Sequence, residues 1–344
     1  MKTISTIGLD LAKNIFRVYG VNANGRCVVS KNIHRDSLAE FFAKLPACVV
    51  AMEACGTSHY WGRCIASYGH TVKIIHPRYV APFRIGGKND ANDAAAICEA
   101  AQRPHMRFVA LKSQREADIQ SIHRVRQGLV KERTATANRI RALLLDNGIA
   151  VKQGIRNICS ALPAVLGDEE NALSGLMRNL LGMQYEHFIH LEKQIKQSED
   201  SLKKLAADNN LCQRLRAVPG IGLLTATSLL ALEGVARDFK KSRSFAAFLG
   251  LTPRQHSSGG KSRLLGIHKR GDCYLRTLLI HCSRSVLRSF LAGNPIVRQG
   301  KLAAWLADIV SRRGVHKATV ALANKLARIA WCMLTRNSRF EFSQ

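Results

Sequence analysis

Acidic residues are what this chain has least of relative to need: 24 Asp and Glu stand against 52 Lys and Arg, a formal net charge of +28 over 344 residues. On a chain that is 47% hydrophobic, such an excess describes a folded protein that must meet a polyanion, with nucleic acid as the default partner. The ten cysteines, at positions 27, 48, 55, 64, 98, 159, 212, 273, 282 and 332, form no Cys-x-x-Cys pair and no tight Cys/His cluster. That excludes a zinc finger and a disulfide framework as organising devices. There is no long uncharged apolar run and no secretory signal, so a membrane span is not expected, and scattered thiols suit a reducing, cytoplasmic interior.

The scarce acids are unevenly placed. Residues 1–103 hold 13 Lys and Arg against 7 Asp and Glu, whereas the remaining 241 hold 39 against 17, so the polyanion-binding surface is expected mostly C-terminal. Length leaves room for two or three domains. The stretch Gly86-Gly87-Lys88-Asn89-Asp90-Ala91-Asn92-Asp93 runs from a glycine-loosened loop into a helix carrying two aspartates on one face. Helix N-terminal capping accounts for Asp90 and Asp93 as well as a cation does. If a cation is held there, oxygen-only ligands indicate Mg²⁺ or Mn²⁺.

Upstream, Thr3–Asp10 reads as a buried strand ending on an acid. Ile15–Val21 and Cys27–Val29 follow as an antiparallel meander across the Asn24-Gly25 turn. Helical Ser37–Leu45, the apolar run Cys48–Glu53, helical Ser58–Tyr68 and the strand His70–Ile75 then predict a mixed sheet covered by helices. Asp10 and Glu53 fall at the carboxyl ends of strands, where open α/β sheets bind ligands. With Asp90 and Asp93 they make four acids in the order strand, strand, helix, helix, which favours the metal reading over turn or cap roles.

Ile7-Gly8-Leu9-Asp10-Leu11-Ala12-Lys13, Met52-Glu53-Ala54-Cys55-Gly56-Thr57 and Lys88-Asn89-Asp90-Ala91-Asn92-Asp93-Ala94 together resemble the Asp-Glu-Asp-Asp signature of one insertion-sequence transposase family. It is the pilin-gene-invertase-like family, whose members are understood as bridge-RNA-guided recombinases. The resemblance implies a RuvC-like, RNase H-fold domain in which Asp10, Glu53, Asp90 and Asp93 hold the catalytic Mg²⁺ or Mn²⁺.

From about Lys112 to Asp146 and from about Glu169 to Ala207 the pattern predicts two long helices, separated by Gly154–Leu166 with its Pro163. Apolar stripes at Ile119, Ile122, Leu129, Ile140, Leu143 and Leu144, and at Leu173, Leu176, Leu180, Phe188, Leu191, Ile195 and Leu202, suggest a helical hairpin or coiled coil serving as an oligomerisation arm. Arg124, Arg126, Lys131, Arg133, Arg139 and Arg141 suit a solvated face or a nucleic-acid contact equally. Next, Val218-Pro219-Gly220-Ile221-Gly222 is a tight turn between helices, of helix-hairpin-helix type, that frees backbone N–H groups for a phosphate. A polar loop follows, Thr252-Pro253-Arg254-Gln255-His256-Ser257-Ser258-Gly259-Gly260-Lys261-Ser262-Arg263, in a region (254 to the end) with 17 Lys and Arg against 3 acids. The resemblance makes Ser258 the nucleophile of this loop, with Ser257 beside it as the competing assignment. Arg254, Lys261, Arg263, Lys269 and Arg270 join Pro219, Gly220 and Gly222 as the candidate nucleic-acid-binding set. Helices are expected from Gly271 and over Lys317–Trp331.

The expected architecture is an α/β RNase H-like (RuvC-like) domain over residues 1–108, a helical coiled-coil segment over 109–207, and a mainly α C-terminal transposase domain over 208–344. The activity that the resemblance implies is strand cutting and exchange by an acidic Mg²⁺ site and a serine nucleophile. Expected partners are double-stranded DNA and further copies of the chain, as dimer or tetramer, and the resemblance implies a structured guide RNA besides. Three alternatives compete: a RuvC-like nuclease or resolvase acting by hydrolysis, a non-enzymatic DNA-binding protein, and an actin-like phosphotransferase. Missing downstream glycine-rich phosphate loops and the excess charge argue against the last.

Overall fold

The computed structural model describes residues 3–87, 89–295, 297–336 and 338–340. Two compact units emerge, Met1–Gln114 with Gly234–Phe239, and Arg115–Glu233 with Lys240–Gln344.

The first unit is built on β1 (Thr6–Asp10), β2 (Ile15–Val21), β3 (Cys27–His34), α1 (Arg35–Ala43), β4 (Val49–Glu53), α2 (Ser58–Ser67), β5 (Thr71–Ile75), α3 (Pro77–Val80), α4 (Asp90–Ala101) and β6 (Phe108–Val109). The six strands lie in the order β3-β2-β1-β4-β5-β6. Strands β1, β4 and β5 run parallel, while β2, β3 and β6 are antiparallel to their neighbours. This mixed α/β sheet is consistent with the RuvC-like expectation. Strand alternation divides the core. Ile7, Leu9, Val50, Met52 and Ile74 pack on one face with Leu38, Phe42, Trp61 and Ile65 of α1 and α2. Ala51 and Ile75 pack on the other with Ala96, Ile97, Ala100 and Ala101 of α4.

The second unit contains α5 (Gln114–Asp146), α6 (Ile155–Gly167), α7 (Gly175–Ala207), α8 (Asn210–Arg216), α9 (Leu223–Leu230), part of α10 (Glu233–Arg237), α11 (Ser242–Phe248), β7 (Pro253–Ser258), β8 (Lys261–Ile267), α12 (Cys273–Leu291) and α13 (Gly300–Arg336). Helix α13 is broken at Gly314, whose φ is 74°. Helices α5 and α7 form an antiparallel hairpin: Arg126 pairs with Glu199, Arg133 with Glu192, and Arg139 with Gln184, the register rising on one helix as it falls on the other.

Three expectations change here. Gly154–Leu166 is not a mere separator, because Ile158 and Leu162 bury into the cluster of Ile140, Leu144, Leu181 and Phe188, and that burial makes it a helix. Pro163 cannot donate to the carbonyl of Cys159, and the Tyr185 hydroxyl stands 3.5 Å from that oxygen instead. The distal hairpin is therefore a three-helix cluster, and a coiled coil is not established. The apolar stripe holds from Phe188 onward, but Leu176 and Leu180 are 72% and 42% exposed while Leu181 is buried. The polar loop 252–263 is a two-stranded hairpin closed by Gly259 and Gly260, both with positive φ, as a two-residue hairpin turn requires. Among the described residues no helix is long and apolar enough to cross a membrane.

Candidate active site

Alternation that sends Ile7 and Leu9 to one face of the sheet sends Gly8 and Asp10 to the other; likewise Val50 and Met52 oppose Ala51 and Glu53. Because Leu9 stands opposite Met52 in the parallel register, Asp10 and Glu53 leave the sheet side by side on the face covered by α4. Small residues let the helix close in. A Cβ on Gly8 would collide with the carbonyl of Ala94 and stand 2.6 Å from the amide nitrogen of Cys98. Helix α4 thus lies against β1 with its N-terminal turn, Asp90 and Asp93, at the carboxyl end of the strands. Asn89 caps it, accepting a 2.8 Å hydrogen bond from the Asn92 amide, which relieves Asp90 and Asp93 of the capping role they would otherwise explain.

Asp10 feels the other three acids. Asp10 has its carboxyl pushed up to about 6, by burial first and then by the charges of Asp93, Asp90 and Glu53, against one lowering hydrogen bond from the Leu11 amide. Asp93 is buried, Asp90 exposed. Asp93 has a counter-ion already: the guanidinium of Arg84, from the loop before α4, donates to its carboxylate. Among the described residues no three Asp, Glu, His or Cys side chains stand close enough to enclose a metal ion. As a donor set, hard carboxylate oxygens crowded enough to raise the proton affinity of Asp10 fit a divalent cation; their positions do not yet enclose one. Arg84 and Gly8 are the two residues of this site that sequence reading passed over. Arg84 looks like any other cation in a basic chain, and Gly8 looks like part of a strand.

In the second unit the hairpin separates the two serines. His256 pairs with Arg263, Ser257 with Ser262, and Ser258 with Lys261. Cross-strand partners share a face and consecutive residues alternate, so Ser258 lies with His256, Lys261 and Arg263. Ser257 lies on the opposite face, where its Oγ accepts a 2.8 Å bond from Gln255 Nε2. All of β7 is exposed, as are Lys261, Arg263, Lys269 and Arg270.

The Pro219-Gly220-Ile221-Gly222 turn does join two helices, α8 and α9, and Gly220 has a part in the fold. Its φ is 83°, and a Cβ there would stand 2.6 Å from Val286 Cγ2 and 2.9 Å from the Cys282 carbonyl of α12. The Ile221 amide is spent on Val218. Gly222 has nothing within 4 Å of its Cβ position, and an open groove of about 450 Å³ is lined by Arg216, Pro219, Gly222, Ser285 and Ser289 among others. A helix-hairpin-helix is therefore not established. On the arm, Arg126, Arg133 and Arg139 are engaged across α5 and α7, and Arg141 donates to Asn138 and to the Gly154 carbonyl.

Comparison with known proteins covers both constellations. A transposase family model of the DEDD type matches residues 7–147, and a model described as the transposase IS116/IS110/IS902 family matches residues 212–299. The chain is 45% identical to a probable family 20 transposase of Pseudomonas aeruginosa, over 97% of this chain and 98% of that protein. It is 40% identical to the transposase for insertion sequence element IS1111A of Coxiella burnetii, over 99% of this chain and 92% of that one. A pilin gene-inverting protein of Moraxella bovis is 24% identical over 97% of each.

Proposed function

The chain belongs to the IS116/IS110/IS902 family of insertion-sequence transposases, enzymes that cleave and rejoin DNA, and from that membership we propose a division of the chemistry between an acidic centre and Ser258. Asp10, Glu53, Asp90 and Asp93 would hold Mg²⁺ or Mn²⁺. When bound, such an ion neutralises phosphate charge and polarises the scissile P–O bond. Ser258 Oγ, giving up its proton, would form the new bond to phosphorus as a deoxyribose oxygen leaves and takes up a proton, so the phosphodiester energy is kept in a phosphoserine link and strands are exchanged without hydrolysis. Lys261 and Arg263 beside it draw and orient the phosphate. Arg254, Lys269, Arg270 and the Pro219–Gly222 turn contact the DNA backbone, and an RNA encoded by the element supplies the choice of sequence. The protein works on DNA as a homo-oligomer, dimer or tetramer.

The observation that carries this reading is the placement of Asp10, Glu53, Asp90 and Asp93, from β1, β4 and α4, at one sheet edge, near enough that the last three push the Asp10 carboxyl up. Pure hydrolysis would need those acids alone, and so Ser258 is the discriminating residue. Incubating the protein with element-end DNA, Mg²⁺ and its co-purifying RNA is expected to give an SDS-resistant protein–DNA adduct. The adduct should survive Ser257→Ala, vanish in Ser258→Ala, and be lost after RNase treatment of the starting complex. Full cleavage by Ser258→Ala would instead establish a nuclease or resolvase.

A further inference from the structure

The serine-bearing hairpin is a two-stranded sheet with no third strand among the described residues, and an isolated pair of strands is marginal by itself. Its direction must be set where it leaves the body, at the neck formed by residues 249–252 and 268–271. There the two chain legs cross closely. The Lys269 amide donates to the Gly250 carbonyl at 3.2 Å and the His268 amide to Thr252 at 2.9 Å. Gly250 and Gly271 have φ of 72° and 76°. A Cβ on Gly250 would collide with the carbonyl of Arg270, and one on Gly271 with the carbonyl of Phe248.

Across this crossing lies Arg276, in the first turn of α12 and only 8% exposed. Its Nη1 donates to the Leu249 carbonyl at 3.1 Å and to the Arg270 carbonyl at 2.8 Å, one from each leg. The same nitrogen stands 2.9 Å from where a Gly250 Cβ would be, so the glycine makes the room that the guanidinium fills. Burying a cation on carbonyl partners is an expensive way to fill space that a leucine could fill. What a leucine could not do is satisfy two carbonyls from two legs at once and so fix the angle between them.

We propose that Arg276 is the positioning residue of the hairpin, pinning both legs to α12 so that Ser258 is held in one attitude for attack. The inference rests on Ser258 being the nucleophile, and it is tested so that the two can fail separately. In hydrogen exchange followed by mass spectrometry on the protein without DNA, Arg276→Met is expected to lose protection in 250–271 while the other helices of the second unit keep theirs. At saturating DNA the rate of adduct formation should drop roughly 10- to 100-fold, the scale of an ångström-sized misplacement, with DNA affinity within about twofold because the phosphate contacts remain. Arg276→Lys, still able to donate to the carbonyls, is expected to restore most of both readouts, and if the methionine variant does not fold, Arg276→Gln takes its place with the same expected losses. In a folded variant, unchanged exchange in the hairpin, or protection lost equally in the other helices of the unit, overturns the proposal. An adduct that persists in Ser258→Ala overturns the nucleophile assignment instead, leaving the exchange pattern to judge the neck.

Discussion

At Asp10 the cost of assembling an anionic site shows in the folded protein itself. Its folded carboxyl titrates at about 6 against an ordinary value of 3.8, because burial and three neighbouring carboxylates disfavour its charge. The native state therefore binds this proton more tightly than the unfolded chain. The stabilisation is fully present below 3.8 and is lost as pH rises through about 6. Asp10→Asn removes the charge while keeping the shape. We expect it to melt at a higher temperature than wild type at pH 8 without divalent ions, to lose that advantage at pH 4, and, on the proposal that Asp10 helps hold the ion, to lose strand cleavage by about 100-fold. Melting curves at the two pH values with and without MgCl₂ check this. A wild-type protein whose melting temperature ignores both pH and Mg²⁺ would show that the acids do not act on one another as described.

At the scale of elements, the site depends on how near a helix can come to a strand. Gly8 is the contact that decides it, since its Cβ position is occupied by the backbone of α4 at Ala94 and Cys98. Gly8→Ala should push the helix outward at a cost of roughly 1–3 kcal/mol, seen as a lower denaturation midpoint. It should also relax the carboxylates, so that the Asp10 titration followed by NMR moves down toward 3.8. A variant with native stability and an unmoved titration would mean the helix is not held by that approach. This element was half legible. The strand-end acids and the two aspartates of α4 follow from apolar alternation and helical spacing, both local signals. The glycine's partner, by contrast, lies 86 residues or more along the chain, at Ala94 and Cys98, and no local pattern announces it. The same limit explains His123, which fell inside an apolar stripe. Its Nε2 meets Thr227 of α9 and its Nδ1 meets Tyr274 of α12, each at 3.0 Å, and burial followed by Arg126 pushes its imidazole down to about 4, so it stays neutral. The conformation around Ser258 escapes the sequence for a different reason. Serine and glycine suggest a loop, whereas the Gly259-Gly260 pair closes a hairpin, and only the resulting register distinguishes Ser258 from Ser257.

Across the whole molecule the question is which cations meet the polyanion that a charge of +28 demands. Composition counts all arginines alike; the structure does not. Arg126 and Arg133 are committed to Glu199 and Glu192 within the arm, so their removal should lower stability and leave the salt dependence of DNA binding nearly unchanged. Arg254, Lys261 and Arg263 are exposed on the hairpin and make no ion pair among the described residues. If each neutralises one phosphate, each releases a counterion and contributes about 0.9 to the slope of log affinity against log salt. Replacing all three by Gln is therefore expected to flatten that slope by roughly 2 to 3, weakening binding at low salt far more than at high salt. Measuring DNA affinity between 50 and 200 mM salt for this triple variant and for Arg126→Gln with Arg133→Gln separates the two classes. A slope unmoved by the triple change would make the hairpin's charge a solvated face, and would require the phosphate beside Ser258 to be drawn in by other residues.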